Sequence, residues 1–256
     1  MATPTYAKRV LEKLGFSVTG IPEGQKEEAD FLAAIDGYVA LVEEKTKLDN
    51  RAVLDERMKQ LDEGQLYTSH LPLVRNNILS GIVKKAASQL HSSSEKEHNF
   101  RLIWFTGAGI NAEAQYHQFI ATIYGTTNIV EMNSNVFRRC YFYRNSDFHQ
   151  HSATIDGAIA AYMAEGTVHA KLCLNPLSPN FQALRASPVT AAFGTAVEDP
   201  ETFESNGTAL IVSGNIDRKI ERALLDFLQT KYSTKPLMCI DTGYVSAAIS
   251  IKKNDA

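Results

Sequence analysis

The spacing of apolar residues predicts regular elements along the first half of the chain. One apolar stripe predicts a helix at 5–14 that ends at Gly15. Two apolar runs flank Asp36-Gly37, a dipeptide typical of a type I′ turn, and therefore predict a β-hairpin. Further along, the spacing predicts helices at 49–65, 73–90 and 111–124, and strands at 100–105 and 127–132.

Strand and helix spacing continues through the second half. Alternation predicts a strand within 136–148, further strands at 169–174, 208–213 and 237–241, and helices at 155–164 and 216–231. Together these elements predict an α/β protein with a mixed central β-sheet flanked by helices. We expect a core at 1–135 and a C-terminal α/β region at 136–256, which either extends the same sheet or forms a second lobe.

The predicted hairpin brings two carboxylates and a lysine to one face of the sheet. Counting outward from the turn at Asp36-Gly37 places Asp30 directly opposite Glu43. Lys45, two residues further along the strand, points to the same face as Glu43. Two convergent carboxylates can bind a divalent cation, and a lysine can hold a water or stabilise charge on a phosphate. A structural carboxylate–lysine pair is the alternative to such a site.

Asp30, followed thirteen residues later by Glu43-Glu44-Lys45, resembles the motif of the PD-(D/E)xK nuclease superfamily. The similarity covers about residues 4–132 and includes the order of helix, hairpin and following helix. Ala29 stands where the superfamily motif has proline, and Glu44 stands where it usually has an apolar residue.

This resemblance implies a restriction-endonuclease-like core with a C-terminal α/β extension, and hydrolysis of phosphodiester bonds by an endonuclease. It implies that Asp30 and Glu43 bind Mg²⁺ or Mn²⁺, and that Lys45 positions the attacking water. Gln89 resembles the glutamine carried by the next helix in several nuclease families, although a polar helix end is an equal alternative. The auxiliary candidates are Glu12 and Glu44.

Composition restricts the partners that this protein can attract. Of 256 residues, 44% are hydrophobic and 21% are charged, as in ordinary globular proteins. The net charge of −3 provides no overall attraction to nucleic acid, so a nucleic-acid partner requires a local basic surface. The basic residues near the motif are Lys8, Arg9, Lys13, Lys45, Lys47, Arg51 and Arg57.

Cysteine usage and hydropathy predict the cellular location of the protein. Cys140, Cys173 and Cys239 form no C-x-x-C motif and suit a reducing cytosol. The chain shows neither a basic-then-apolar leader nor an apolar run of about 18 residues. We therefore expect a cytoplasmic protein without a membrane partner, and a homo-oligomer is compatible with this reasoning.

A glycine-rich turn at residues 107–112 offers a rival binding site. Gly107, Gly109 and Ala112 fit G-x-G-x-x-A between a predicted strand and a predicted helix, and Glu131 ends the next strand. In dinucleotide-binding folds such a helix start binds a pyrophosphate, and the acid binds a ribose. A turn with a purely structural role is the alternative.

Two further segments carry suggestive side chains. His149 and His151 could begin a zinc site, but no third ligand follows at a suitable spacing, and paired surface histidines are the alternative. Three arginines interleave with aromatic residues in 136–148, a pattern that suits either stacking on bases or an edge strand with a core face. These arginines are Arg138, Arg139 and Arg144.

The sequence therefore leads us to expect a metal-dependent nuclease that acts on DNA or RNA, with DNA favoured. One alternative is a nucleotide-binding domain that uses the glycine-rich turn. Another is an inactive nuclease-fold protein that acts as an interaction partner. Metal-dependent cleavage would favour the nuclease, and tight dinucleotide binding without cleavage would favour the nucleotide-binding domain. The absence of both would favour the inactive protein.

Overall fold

The computed structural model describes residues 5–22, 27–134, 136–241 and 243–250. Helices and strands are interspersed along the chain, and the larger sheet is mixed, which confirms the predicted α/β class with a mixed central sheet flanked by helices. The helices are α1 (Tyr6–Lys13), α2 (Arg51–Asp62), α3 (Asn77–Ser92), α4 (Ala112–Tyr124), α5 (Asp147–Gln150), α6 (Phe181–Arg185), α7 (Pro188–Ala191), α8 (Pro200–Ser205) and α9 (Glu221–Tyr232). The strands are β1 (Ser17–Gly20), β2 (Phe31–Ile35), β3 (Tyr38–Lys47), β4 (Tyr67–Pro72), β5 (Phe100–Gly107), β6 (Thr127–Glu131), β7 (Phe137–Tyr141), β8 (Gly157–Ala164), β9 (Thr167–Leu174), β10 (Val197–Glu198), β11 (Ala209–Ile211), β12 (Leu237–Ile240) and β13 (Tyr244–Ile249).

The larger sheet has seven strands in the described residues, in the order β1-β2-β3-β5-β8-β9-β10. Strands β1, β2 and β3 are antiparallel neighbours, whereas β3, β5 and β8 run parallel. Strand β9 returns antiparallel to β8, and β10 pairs with β9 in parallel. Because β8, β9 and β10 come from residues 136–256, part of that region extends the larger sheet.

Helices cover both faces of this sheet and bury the centre of β3 between them. Side chains of α3 and α4 share a core with Leu41 and Phe105 on one face. Side chains of α1, α6 and α7 share a core with Val42 and Trp104 on the other face. A polar residue in the middle of β3 therefore faces a packed layer whichever way it points. None of the described helices combines the length and the apolar character needed to cross a bilayer.

A second sheet, with four strands in the described part of the chain, has the order β11-β7-β6-β12. Helix α9 packs against it through Leu224 and Leu228. The predicted strands at 100–105 and 127–132 are not neighbours in one sheet, because β8, and not β6, lies beside β5. The first five residues of β8 are fully buried, whereas β6 carries the partly exposed Asn128 and Glu131. The more apolar strand occupies the place that helices cover on both sides.

The helix predicted at 155–164 is also wrong, since this segment forms β8. Its alanines favour a helix in isolation, but pairing with β5 and β9 on both edges overrides that preference. Small side chains such as Ala158 and Ala160 let α4 pack closely on the strand. At Gly157 an added Cβ would lie 2.9 Å from the carbonyl oxygen of Cys173, so this strand start tolerates no side chain.

Candidate metal and phosphate site

The hairpin that carries the candidate site forms in the predicted register. Ile35 pairs with Tyr38, and Phe31 pairs with Val42. The turn residue Asp36 has φ 46°, and the glycine after it has φ 81°, as a type I′ turn requires. This confirms the geometric basis on which Asp30 was placed opposite Glu43.

Asp30 and Glu43 occupy very different environments although they are neighbours. Glu43 lies inside β3, paired with Ile103 of β5, and is only 1% exposed. Asp30 is exposed and precedes β2, where its backbone N–H donates to the carbonyl of Val42 at 3.1 Å. Its Oδ2 accepts from the backbone N–H of Glu44 at 2.6 Å. One carboxylate is therefore buried, and the other opens to solvent beside it.

Lys45 connects this pair to helix α3. Its Nζ donates to Glu43 Oε1 and, at 2.7 Å, to Gln89 Oε1. The amide nitrogen of Gln89 in turn donates to the carbonyl of Glu28 at 3.3 Å. One turn further, Ser93 Oγ accepts from the backbone N–H of Ala29 at 2.8 Å. The end of α3 thus holds both the lysine and the segment that leads into Asp30.

Glu43 is a buried carboxylate, and one of its two oxygens lacks a hydrogen-bond donor among the described residues. Burial raises the pKa of Glu43 to about 7, the nearby charge of Asp30 adds to this rise, and Lys45 opposes it. Glu43 Oε2 is buried and accepts no hydrogen bond from any described residue. A buried acceptor without a donor costs about 1–3 kcal/mol, so a cation or a proton at this oxygen would be favoured.

The carboxylates of Asp30 and Glu43 fit a divalent cation whose coordination shell the protein supplies only in part. Across the described ranges, no group of three or more His, Cys, Asp or Glu side chains could hold a metal ion. Mg²⁺, however, is commonly bound through one or two carboxylates, with water and substrate phosphate completing its shell. Glu43 Oε2 and the exposed Asp30 supply these two carboxylates.

The auxiliary candidates Glu44 and Glu12 lie on the α1 side of β3. Glu44 points to the opposite face of β3, where its Oε1 accepts from the backbone N–H of Ala7 at 3.4 Å, at the start of α1. Burial raises the pKa of Glu44, the charge of Asp30 still contributes to this rise, and the hydrogen bonds from Thr5 and Ala7 oppose it. Glu12 lies on α1 in the same layer, with its Oε1 3.9 Å from Lys8 Nζ.

The glycine-rich turn already contains an acidic group of the chain itself. Asp49 Oδ2 accepts from the backbone N–H of Ile110 at 2.6 Å, and its Oδ1 accepts from Gln115 Nε2 at 2.9 Å. Gly109 has φ +95°, and an added Cβ there would clash with Asp49 Oδ2. Asp49 therefore occupies the start of α4, where a bound pyrophosphate would lie. Sequence reasoning missed Asp49, whose only signal was a carboxylate shortly after β3.

The arginine-rich segment is part of the second sheet and its charges are paired. Arg139 and Lys171 each lie 2.8 Å from the carboxylate of Glu198, and Tyr141 donates to the same carboxylate at 2.5 Å. Arg144 pairs with Asp241. The aromatic residues of this segment that face inward are Tyr141, Phe142 and Tyr143. These contacts match the core face of the structural alternative rather than a surface for stacking bases, but β7 is an internal strand and not an edge strand.

Comparison with protein-family models, curated proteins and solved structures found no match for this chain.

Proposed function

We propose that this protein is a metal-dependent nuclease whose site consists of Asp30, Glu43 and Lys45. The observation that carries the proposal is the buried Glu43 Oε2, which has no donor within the described residues and lies beside the exposed Asp30. Two adjacent carboxylates normally repel each other, so a chain that keeps them together with one oxygen unsatisfied fits a role in cation binding.

In this proposal Asp30 and Glu43 hold Mg²⁺ or Mn²⁺. When bound, such an ion lowers the pKa of a water ligand and neutralises charge on a scissile phosphate. Lys45 donates a hydrogen bond to the attacking water or to a phosphate oxygen as negative charge develops there. Gln89 keeps the lysine aimed at Glu43, because its side-chain oxygen accepts from Lys45 Nζ at 2.7 Å.

The proposed substrate is nucleic acid, and DNA is the first form to test. Lys47 follows Lys45 on the same face of β3, and Arg51 begins the next helix. This local positive charge could contact a phosphate backbone despite the net charge of −3. The three free cysteines suit the reducing cytoplasm, which is the location we propose. A homo-oligomer of the nuclease is compatible with this proposal.

The decisive experiment compares two substitutions at neighbouring positions of β3. Purified wild type, Glu43→Gln and Glu44→Gln are incubated with single- and double-stranded DNA and RNA, in Mg²⁺, Mn²⁺ or chelator. We expect cleavage by wild type and by Glu44→Gln only when metal is present, and none by Glu43→Gln. Glu44→Gln is the matched control because its side chain faces α1.

Two results would contradict the proposal. Cleavage by Glu43→Gln at the wild-type rate would exclude this site. Absence of cleavage by wild type on every substrate, together with metal binding that depends on Glu43, would favour an inactive nuclease-fold protein.

A further inference from the structure

A cavity outside the larger sheet lies at the carboxyl ends of two parallel strands. Strands β7 and β11 pair in parallel, with Tyr141 beside Ile211. Phe142, which follows β7, and residues 212–215, which follow β11, line a cavity of about 440 Å³, called here the β7–β11 cavity. In open α/β sheets ligands bind at the carboxyl ends of parallel strands, and pockets of about 300–1,000 Å³ take small molecules.

Arg218 brings a guanidinium to this cavity and holds it with backbone carbonyls rather than with a carboxylate. Its Nη1 donates to the carbonyls of Gly214 at 2.9 Å and Ile216 at 2.5 Å, and its Nε donates to the carbonyl of Phe142 at 3.3 Å. Within the described ranges Arg218 forms no salt bridge, and its Nη2 has no hydrogen-bond acceptor. Arg218 also lines two adjoining cavities of about 220 and 370 Å³. A guanidinium held by neutral carbonyls retains its full attraction for an anion.

The backbone around Arg218 is shaped to hold it and offers further donors. Phe142 has φ 57°, an uncommon value for a bulky residue, and this bend turns its carbonyl to Arg218. In the loop after β11, the N–H groups of Ser213, Gly214 and Asn215 donate to no described acceptor. Gly214 has φ +82°, and left-handed residues of this kind let successive N–H groups converge on an anion.

The remaining lining has an apolar side and an acidic side. Pro176 and Leu177 supply apolar surface, whereas the Phe142 side chain is buried in the core. Glu204 lies 2.7 Å from Lys231, so these two charges compensate each other. Glu201 has only a 3.5 Å contact to an arginine, which leaves it able to accept hydrogen bonds from hydroxyl groups.

We infer that the β7–β11 cavity binds a mononucleotide. The phosphate contacts Arg218 and the loop at 213–215, the base lies against the apolar side, and Glu201 accepts from the ribose hydroxyls. Carboxylates hold ribose hydroxyls in the same way at other nucleotide sites. The inference is independent of the proposed nuclease activity, since the two sites share no residue.

Calorimetric titration of the full chain in chelator tests this inference without involving the metal site. The probes are the four ribonucleoside 5′-monophosphates, ribose 5-phosphate, inorganic phosphate and adenosine. We expect at least one monophosphate to bind more tightly than ribose 5-phosphate, inorganic phosphate or adenosine. Arg218→Gln should weaken this binding by about 10- to 100-fold, because a charge-assisted hydrogen bond is lost. Arg222→Gln is the matched control, since Arg222 is 92% exposed on α9 and lines none of these cavities.

A pair of surface variants keeps the test valid if Arg218→Gln does not fold. Leu177 lines the cavity but is 42% exposed, so both Leu177→Glu and Leu177→Lys should fold normally. Both variants remove apolar surface from the base, and the glutamate should weaken monophosphate binding more than the lysine does, because its charge repels the phosphate. The inference is overturned if no monophosphate binds, if inorganic phosphate binds as tightly as the nucleotides, or if folded Arg218→Gln and both Leu177 variants bind like wild type.

Discussion

The larger sheet carries one candidate site at the β2–β3 hairpin and another in the turn after β5, and the two differ in whether their charges are already satisfied. At the Asp30–Glu43 pair, a buried carboxylate oxygen has no donor among the described residues. At the glycine-rich turn, the chain supplies its own carboxylate, since Asp49 accepts from Ile110 and Gln115. A strand–turn–helix motif indicates that an anion can be bound there. The motif alone does not say whether that anion comes from a ligand or from the protein.

The largest expected effect is a difference in cleavage rate between a variant of Glu43 and a variant of Asp49. Glu43→Gln should lower the rate of metal-dependent cleavage by at least about 100-fold, because a group that acts in the transition state is lost. Asp49→Asn should retain the rate to within a few-fold, because Asp49 contacts only the protein. Initial rates on the best substrate, with both variants shown to be folded, measure the difference. Equal losses in the two variants would remove the distinction between the sites.

Substitution of the turn glycine should cost the most stability. Gly109→Val combines a left-handed φ of +95° with a clash against Asp49, so we expect a loss of about 3 kcal/mol or more in the free energy of unfolding. Gly166→Val is the matched control, because Gly166 has φ +76° but open space around it. Its loss should be about 1–2 kcal/mol. Similar losses in urea unfolding would mean that Asp49 is not packed against the turn.

Removal of the charge of Asp49 should destabilise the protein by a smaller amount. Asp49→Asn keeps the shape but weakens its hydrogen bonds and its interaction with the start of α4, at a cost of about 1–2 kcal/mol. Asp226→Asn, on the exposed face of α9, should change the free energy of unfolding by less than about 0.5 kcal/mol. Tight binding of a dinucleotide by Asp49→Asn but not by wild type would show that Asp49 occupies a usable anion site.

The smallest expected effect is a gain in stability, and it concerns Asp30. In chelator, Asp30→Asn should be more stable than wild type by about 0.5–1 kcal/mol, because repulsion across the hairpin is relieved. Mn²⁺ should raise the melting temperature of wild type and barely change that of the variant, as binding linkage requires. A thermal-shift series against Mn²⁺ measures both effects. The same response to metal in both proteins would mean that Asp30 is not a ligand.

Local sequence signals predicted the hairpin and its register correctly. The Asp36-Gly37 turn and the alternation around it depend on neighbouring residues only, so they could be read directly from the chain. Helix α3 was predicted for the same reason, since it carries its own apolar stripe. The ribbon formed by β4 and β13 was missed, because its strands are 172 residues apart between Pro72 and Tyr244 and their pairing is not a local property.

The sequence by itself determined the register of the hairpin and that Glu43 and Lys45 share one face of β3, because strand periodicity and turn geometry are local properties. Only the tertiary structure decided that Glu43 is buried, that Gln89 holds Lys45, and that Asp49 fills the glycine-rich turn. It also decided that an alanine-rich segment becomes the strand beside β5. Each of these outcomes depends on contacts between residues that lie far apart in the chain. Burial and hydrogen-bond satisfaction are properties of the assembled layers, so no local pattern contains them.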